Sequence, residues 1–296
     1  MNSSTNKSRT LINIIGLPLI LFVVYQGGVL FHLFVSFIMF LSIKEMDQLM
    51  KIKSYSINVI FLYSMIPIMF FSNKLYFNFM YPILNIKFAT LDFLWPENFV
   101  FHLVKMDFIG IIIFLVVCIW EIFRFKNNPI ENIAITLFAL IWIVFFLDMF
   151  ISIRNYYCNG FHFTLCILLS VWACDSAAFF FGSKFGKKKI LPKISPNKTW
   201  VGTIAGYFFA LLTVYSFSII FLFLNFTILD VFILGTIFGV IGQLGDFFES
   251  LIKRELNVKD SGTILQGHGG VLDRFDSMFF VIPSFYVYIL YKYPLF

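Results

Sequence analysis

Long apolar runs separated by short polar links recur along this sequence, and they fix most of what the chain can become. About 20 apolar residues cross the hydrocarbon core of a bilayer as a helix, because a helix satisfies its own backbone hydrogen bonds where no water can. The candidate spans are Leu11–Tyr25, Gly28–Ile43, Ile57–Phe71, Phe108–Phe123, Asn132–Ile151, Phe161–Phe181, Thr203–Leu224, Ile228–Leu244 and Met278–Tyr291. The first pair is split at Gln26-Gly27-Gly28 and reads either as two short spans joined by a tight turn or as a re-entrant hairpin. The expected fold is therefore all-α, a polytopic transmembrane helical bundle of about nine spans. Composition agrees, since 60% hydrophobic and 13% charged residues is far from a soluble domain. Met1 to Thr10 is polar, and the run after it lacks a small-residue cleavage site, so it reads as an uncleaved first span. Lys44 to Ser54 reads as a polar link, and residues 72–107, with aromatics among Asn, Lys and Pro, as an external or interfacial loop.

Charge is concentrated rather than spread. Six of the 16 acidic residues lie between Asp246 and Asp276: Asp246, Glu249, Glu255, Asp260, Asp273 and Asp276. Lys253, Arg254, Lys259, Arg274 and His268 lie among them. The first part suits a helix entered from Gly245, on which Asp246, Glu249, Ser250 and Lys253 share one face. Two carboxylates one turn apart can hold a hard cation such as magnesium through oxygen. His268-Gly269-Gly270 is a turn poor in side chains, whose amides can approach phosphate oxygens. Asp273 and Asp276 are again three apart, with Arg274 between them. Carboxylates for a metal, cations for phosphate charge and glycines for close approach are what phosphoryl or nucleotidyl transfer requires. A solvated loop with scattered ion pairs would not need that combination.

A second constellation occupies residues 174–202. Asp175 sits inside an apolar run, where an ionisable group is costly and points to function; a hydrogen-bonded packing role is the bland alternative. Ser176, Ala177 and Ala178 let helices pack closely around it. The loop 182–202 carries six lysines (Lys184, Lys187, Lys188, Lys189, Lys193, Lys198) and no acid. Lys187–Lys189 can serve simply as an orientation signal, whereas Ser195-Pro196-Asn197-Lys198-Thr199 offers hydroxyls and a cation on one turn. His32, His102 and His162 lack partners at ligand spacing and read as satisfied or headgroup-facing side chains. Cys118, Cys158, Cys166 and Cys174 form no CxxC pair and read as buried thiols, not as a zinc site or disulfide framework.

The pattern Ser-x-x-Lys-Arg-x4-Lys-Asp-x-Gly, followed by His-Gly-Gly-x-x-Asp-Arg-x-Asp, resembles the signature of the phosphatidate cytidylyltransferase (CDP-diacylglycerol synthase) family. Asp175-Ser176-Ala177-Ala178 and Ser195-Pro196-Asn197-Lys198-Thr199 are similar to two further blocks of that family. The resemblance covers mainly residues 171–290. Two positions depart from it: Gln266 stands where Pro or Gly is usual, and Val201 where Glu is usual. The resemblance implies transfer of CMP from CTP to phosphatidate, giving CDP-diacylglycerol and pyrophosphate, with Mg2+ as cofactor. The number of cations and a homodimeric state stay open.

On that reading the phosphate of phosphatidate is itself the nucleophile, so no Ser-His or Cys-His dyad is needed. Asp246, Asp273 and Asp276, with Asp175 and Glu249, are assigned to metal; Lys253, Arg254, Lys259 and Arg274 to phosphate charge. Ser195, Lys198 and Thr199 are assigned to the nucleotide or lipid headgroup, His268, Gly269 and Gly270 to the phosphate turn, and Asp260 to orienting a Lys or Arg. The chain is expected to form one membrane domain, with N-terminal helices at 1–170 and a catalytic region at 171–296. Lysine and arginine distribution places residues 182–202 and 245–277 on one face, the cytoplasmic side of an inner (plasma) membrane. The net charge of +6 suits anionic lipid or phosphate, and no nucleic-acid partner is expected. Two rivals remain: a CTP-dependent polyprenol or lipid kinase sharing the nucleotide site, and an ion-coupled transporter using Asp175 and the later acids as a path.

Overall fold

The structure, a computed structural model, describes residues 16–75, 97–156, 159–262 and 269–293. Its helices are α1 Gly16–Gln26, α2 Gly28–Lys51, α3 Val59–Leu75, α4 Glu97–Arg124, α5 Pro129–Arg154, α6 Gly160–Phe185, α7 Trp200–Ile220, α8 Ile228–Glu255, α9 Leu272–Phe275 and α10 Met278–Lys292. Among the described residues the only extended pairing is an isolated bridge between Lys189 and Thr199. Helices α2, α5, α6, α7 and α8 are long and apolar enough to cross a membrane, and α1, Val59–Phe70 and α10 are shorter apolar helices. The chain is thus an all-α, multi-pass membrane protein.

Several boundaries differ from the sequence reading, each for a local reason. The polar link at Lys44–Ser54 continues α2 as far as Lys51, because Ser42, Glu45 and Asp47 find buried places on it. The later part of residues 72–107 is helical from Glu97 onward, while residues 76–96 lie outside those described. Gly245 does not start a helix; α8 runs through it without a break. Gly27 and Gly28 separate α1 from α2, both at positive φ (61° and 52°), the backbone region that favours glycine.

The chain divides into two compact units, Met46–Val144 and the remainder, Met1–Glu45 with Phe145–Phe296. In the larger unit the core is aromatic. Phe31, Phe150, Phe163, Phe238, Phe279 and Phe285 are almost completely buried. Phe31 meets Phe150 edge-on at 5.2 Å, and Phe163 meets Phe285 edge-on at 5.8 Å. Helices α6 and α7 approach closely through small residues. A Cβ on Gly202 would lie 2.6 Å from the Ala178 carbonyl oxygen and 3.1 Å from Gly182 Cα. Helix α7 starts at Thr199, whose Oγ1 accepts the Gly202 amide at 3.2 Å. Helix α8 starts with a capping box between Thr227 and Asp230.

The smaller unit is held by a polar network centred on Asn132. This fully buried side chain donates to Glu121 Oε1 and to the Asn127 carbonyl, each at 2.8 Å, and accepts the Ser56 amide at 2.8 Å. Glu121 also pairs with Arg124 at 3.1 Å, and Thr136 Oγ1 accepts the Asn58 amide at 3.0 Å. Removing Asn132 strands several buried partners at once. Asn132→Ala is expected to lower stability by about 1–3 kcal/mol, read as a lower thermal midpoint in detergent; an unchanged midpoint would show that the network contributes nothing.

Candidate active site

The larger unit gathers most of the sequence-selected residues where the C-terminal part of α6, the start of α7, the later turns of α8 and the α9–α10 turn meet. Glycines make that meeting possible. A Cβ at Gly245 would stand 2.6 Å from the Asp276 carbonyl oxygen and 3.2 Å from Phe280 Cβ. The bare backbone there brings Asp246 up to Asp276. Gly245 is therefore an approach residue of α8, not the point at which a helix begins.

Asp246 pairs with Lys198 Nζ at 2.5 Å. That ammonium also lies over the Phe247 ring, 4.2 Å from its centroid, so two neighbours on α8 fix it. Ser250 Oγ reaches Asp246 Oδ1 at 3.5 Å, as expected for residues one turn apart. Asp276 accepts its own neighbour, the Ser277 amide, at 2.6 Å. Burial raises the Asp276 carboxyl well above the usual carboxylate range, and the Asp246 and Asp175 carboxylates add to the shift. Asp175, Asp246 and Asp276 thus lie near enough for their charges to interact, with Lys198 ion-paired to Asp246.

Asp273 is turned elsewhere. Its Oδ1 takes Lys253 Nζ at 2.6 Å. Its Oδ2 accepts the Ser261 amide at 2.9 Å, the Ser261 hydroxyl at 3.0 Å and the Gly270 amide at 2.7 Å. Burial pushes this carboxyl up, but the Glu249 and Lys253 side chains and the Gly270 amide outweigh it and hold it below the usual range. Glu249, almost wholly buried, lies 3.2 Å from the same Lys253 ammonium. Lys253 is thus the bridge between α8 and the glycine turn.

The remaining candidates fall into groups. Arg254 donates to the carbonyls of Ile194 and Val258, each at 3.2 Å, which ties the lysine-rich loop to the end of α8. Ser195 lies in a turn closed by the Lys198 amide on its carbonyl. Lys259 and Asp260 are exposed, and so is Arg274, which lines a cavity described below. Gly269 has φ 78°, and a Cβ there would lie 2.6 Å from Asp273 Oδ2. His268 and Gln266 lie outside the described residues. Val201 is exposed on α7. Cys166 and Cys174 are buried free thiols, and Cys158 is outside the described residues.

Two cavities flank Asp175. One, of about 480 Å³, is lined by Asp175, Ser183, Lys189, Asn197, Lys198, Thr199, Gln243 and Asp246, with Gly182, Gly186 and Gly202 in its wall. The other, of about 600 Å³, is mostly apolar: Leu17, Ile20, Phe31, Phe34, Leu168 and Trp172 line it, and Asp175, Arg274, Asp276 and Ser277 stand at its polar end. Gln243 escaped the sequence reading. Its Nε2 donates to the carbonyls of Gly239 at 2.5 Å and Thr203 at 3.1 Å. Gly239 lies in the wide-turn stretch Ile237–Ile241, where the regular ladder of α8 is interrupted. A glutamine three residues before the first acid of the motif was the available signal.

Among the described residues no group of three or more His, Cys, Asp or Glu is arranged to hold a metal by itself. The donor set nevertheless fits a hard divalent cation. Asp246, Asp276 and Asp175 offer oxygen ligands, and of these Lys198 pairs with Asp246. Magnesium commonly takes one or two carboxylates and completes its shell with water and substrate phosphates, so no preformed cage is required.

A profile of the Cytidylyltransferase family matches residues 7–292. The phosphatidate cytidylyltransferase of Staphylococcus haemolyticus is 33% identical over 278 residues, covering 94% of this chain and 96% of the relative. That of Staphylococcus aureus is 31% identical over 279 residues, covering 94% and 96%. That of Bacillus subtilis is 35% identical over 198 residues, covering 66% and 73%.

The glycine approach can be tested without substrate. Gly245→Ala places a methyl group against the backbone of residue 276, which cannot rotate away as a side chain could. A loss of about 1–3 kcal/mol is expected, measured as a lower unfolding midpoint in detergent. An unchanged midpoint would mean that α8 and the α9–α10 turn are not held this closely.

Proposed function

The chain belongs to the Cytidylyltransferase family, and from that premise we propose that it transfers CMP from CTP to phosphatidate, releasing pyrophosphate and leaving CDP-diacylglycerol in the membrane. The observation that carries this reading is the pair of unlike cavities sharing Asp175, one lined by Lys189, Lys198, Asn197, Thr199 and Asp246, the other apolar with a polar end. A triphosphate and a nucleoside suit the first. Acyl chains and a phosphate headgroup suit the second.

In the reaction an oxygen of the lipid phosphate forms a bond to the α-phosphorus of CTP. The bond from that phosphorus to the bridging oxygen of the β-phosphate breaks, and its electron pair leaves with pyrophosphate. A phosphate monoester is already ionised at neutral pH, so no side chain has to remove a proton. What the protein supplies is alignment and charge. Lys198, fixed by Asp246 and Phe247, neutralises phosphate charge in the polar cavity. Thr199, Asn197 and Gln243 border the nucleotide. Arg274 meets the lipid phosphate at the polar end of the apolar cavity. Asp246 and Asp276, with Asp175, would hold Mg2+, which when bound would shield the negative charge of the two substrates from one another. Asp273, Glu249 and Lys253 keep the glycine turn in place.

Orientation follows from charge. Lys187, Lys188, Lys189, Lys193, Lys259 and Arg254 are exposed at this end of the larger unit. At its other end Arg154 is bound to the carbonyls of Val24 and Tyr25, and Lys292 to Asp230 and the Asn225 carbonyl. An excess of exposed basic residues at this end supports a cytoplasmic orientation for it, where CTP is available. For a chain related to bacterial enzymes this is the inner (plasma) membrane.

Purified protein in detergent with phosphatidate, Mg2+ and CTP tests the reading. Label at the α-phosphate is expected in the lipid, and label at the γ-phosphate in pyrophosphate. The opposite pattern would make the protein a lipid kinase, and no labelled lipid under either would remove both. Lys198→Ala and Asp246→Asn are each expected to lower kcat/KM by about 100-fold or more, with normal insertion and extraction. Activity within about twofold of wild type in either variant would take that residue out of the site.

A further inference from the structure

We infer that Glu45, on α2 and more than 200 residues before the motif it serves, is a positioning residue for the reaction: its carboxylate holds the turn that presents Asp273 and Asp276. The inference rests on the cytidylyltransferase reading of the site.

Glu45 is completely buried. Its Oε1 accepts the Val271 amide at 2.8 Å, and its Oε2 accepts the Leu272 amide at 2.9 Å and lies 3.3 Å from Ser261 Oγ. The same turn is gripped from its other side by Asp273, through the Ser261 and Gly270 amides and the Ser261 hydroxyl. Two carboxylates therefore satisfy the amides of Ser261, Gly270, Val271 and Leu272, and Ser261 stands between them with one proton to share. Hydrogen bonds to a charged acceptor are roughly twice as strong as neutral ones, and a buried amide left without a partner is costly. The conformation that places Asp276 against Asp246 thus depends on a side chain from α2.

Gly262 and Gly270 fit the same account. A Cβ at Gly262 would lie 2.7 Å from Glu45 Oε1, and one at Gly270 would lie 2.5 Å from Oε2. Neither glycine needs its freedom for a left-handed backbone, since neither has a positive φ. Both make room for the carboxylate. The turn is shaped around Glu45 as much as around any phosphate.

The test combines kinetics with amide exchange. Glu45→Gln keeps the size of the side chain but sets an NH2 group against an amide donor. The expected result is a fall in kcat of about 10- to 100-fold, with KM for CTP within about twofold of wild type. Amide hydrogen exchange in the 269–277 segment is expected to accelerate while α6 and α7 exchange as before. Glu45→Asp, one methylene shorter, is not expected to restore the rate. A folded Glu45→Gln protein with wild-type kcat would overturn the inference, as would acceleration spread evenly over the whole chain. If Glu45→Gln cannot be purified, Ser261→Ala takes its place: about a several-fold loss of kcat with faster local exchange supports the clamp, and no change in either refutes it. Exchange is read without substrate. A protein that fails to make CDP-diacylglycerol would therefore sink the functional reading, while the exchange result would still decide whether Glu45 holds the turn.

Discussion

A carboxylate inside a helical bundle bordered by lipid is tolerated only if something nearby offsets its charge or donates to its oxygens. That constraint organises the larger unit of this protein. Glu45 is matched by backbone amides, Asp273 by amides and a lysine, Glu249 by the same lysine, and Asp246 by Lys198. Asp175 and Asp276 have no lysine or arginine at ion-pair distance among the described residues. Their oxygens thus stand where the two cavities meet without a lysine fixed to them. On the proposed reading those oxygens would be the ones open to a cation that accompanies two anionic substrates.

Close backbone approach is the second requirement, and it explains why glycines cluster near the acids. Gly202 against Gly182 sets the distance between α6 and α7, and Gly245 against residue 276 sets that between α8 and the following turn. Gly206 has Cys174 and Gln243 where its Cβ would be. These contacts are made by helical glycines whose conformational freedom is not used. Their value lies in the missing side chain, which lets polar groups on neighbouring helices come within reach of each other.

The apolar runs made the fold class legible, because spanning a bilayer is a constraint on length and composition that any sequence displays. Asp246, Glu249, Ser250 and Lys253 share a face as their spacing requires, since helical period is a local property. Lys198 and Asp175 were legible as polar residues in settings where polarity is costly. Glu45 was hidden for the opposite reason. It sits beside Lys44 and shortly before Asp47 and Lys51, and a charged run at the end of an apolar segment looks like a solvated link. Nothing local distinguishes a carboxylate that faces water from one received by amides far along the chain. Gly245 was misread in a similar way, as a helix start, because a glycine used for tertiary approach carries the same letter as one used for a turn.

The two acids of the Asp-Arg-x-Asp motif show how far spacing alone can be taken. Three residues apart on a helix they should share a face, which suggested that both ligate one ion. Here the helix is only Leu272–Phe275, and it ends before the second acid. Asp273 is drawn back to the Ser261 and Gly270 amides at the start of the turn, while Asp276, past the end of α9, meets α8 at the place opened by Gly245. The first acid shapes the turn and the second faces the cavity. The Asp273 oxygens already accept from Lys253, Ser261 and Gly270, so a metal there would compete with these donors. Asp276, Asp246 and Asp175 thus border the cavities, while Asp273, Lys253 and Glu45 are spent on holding the turn.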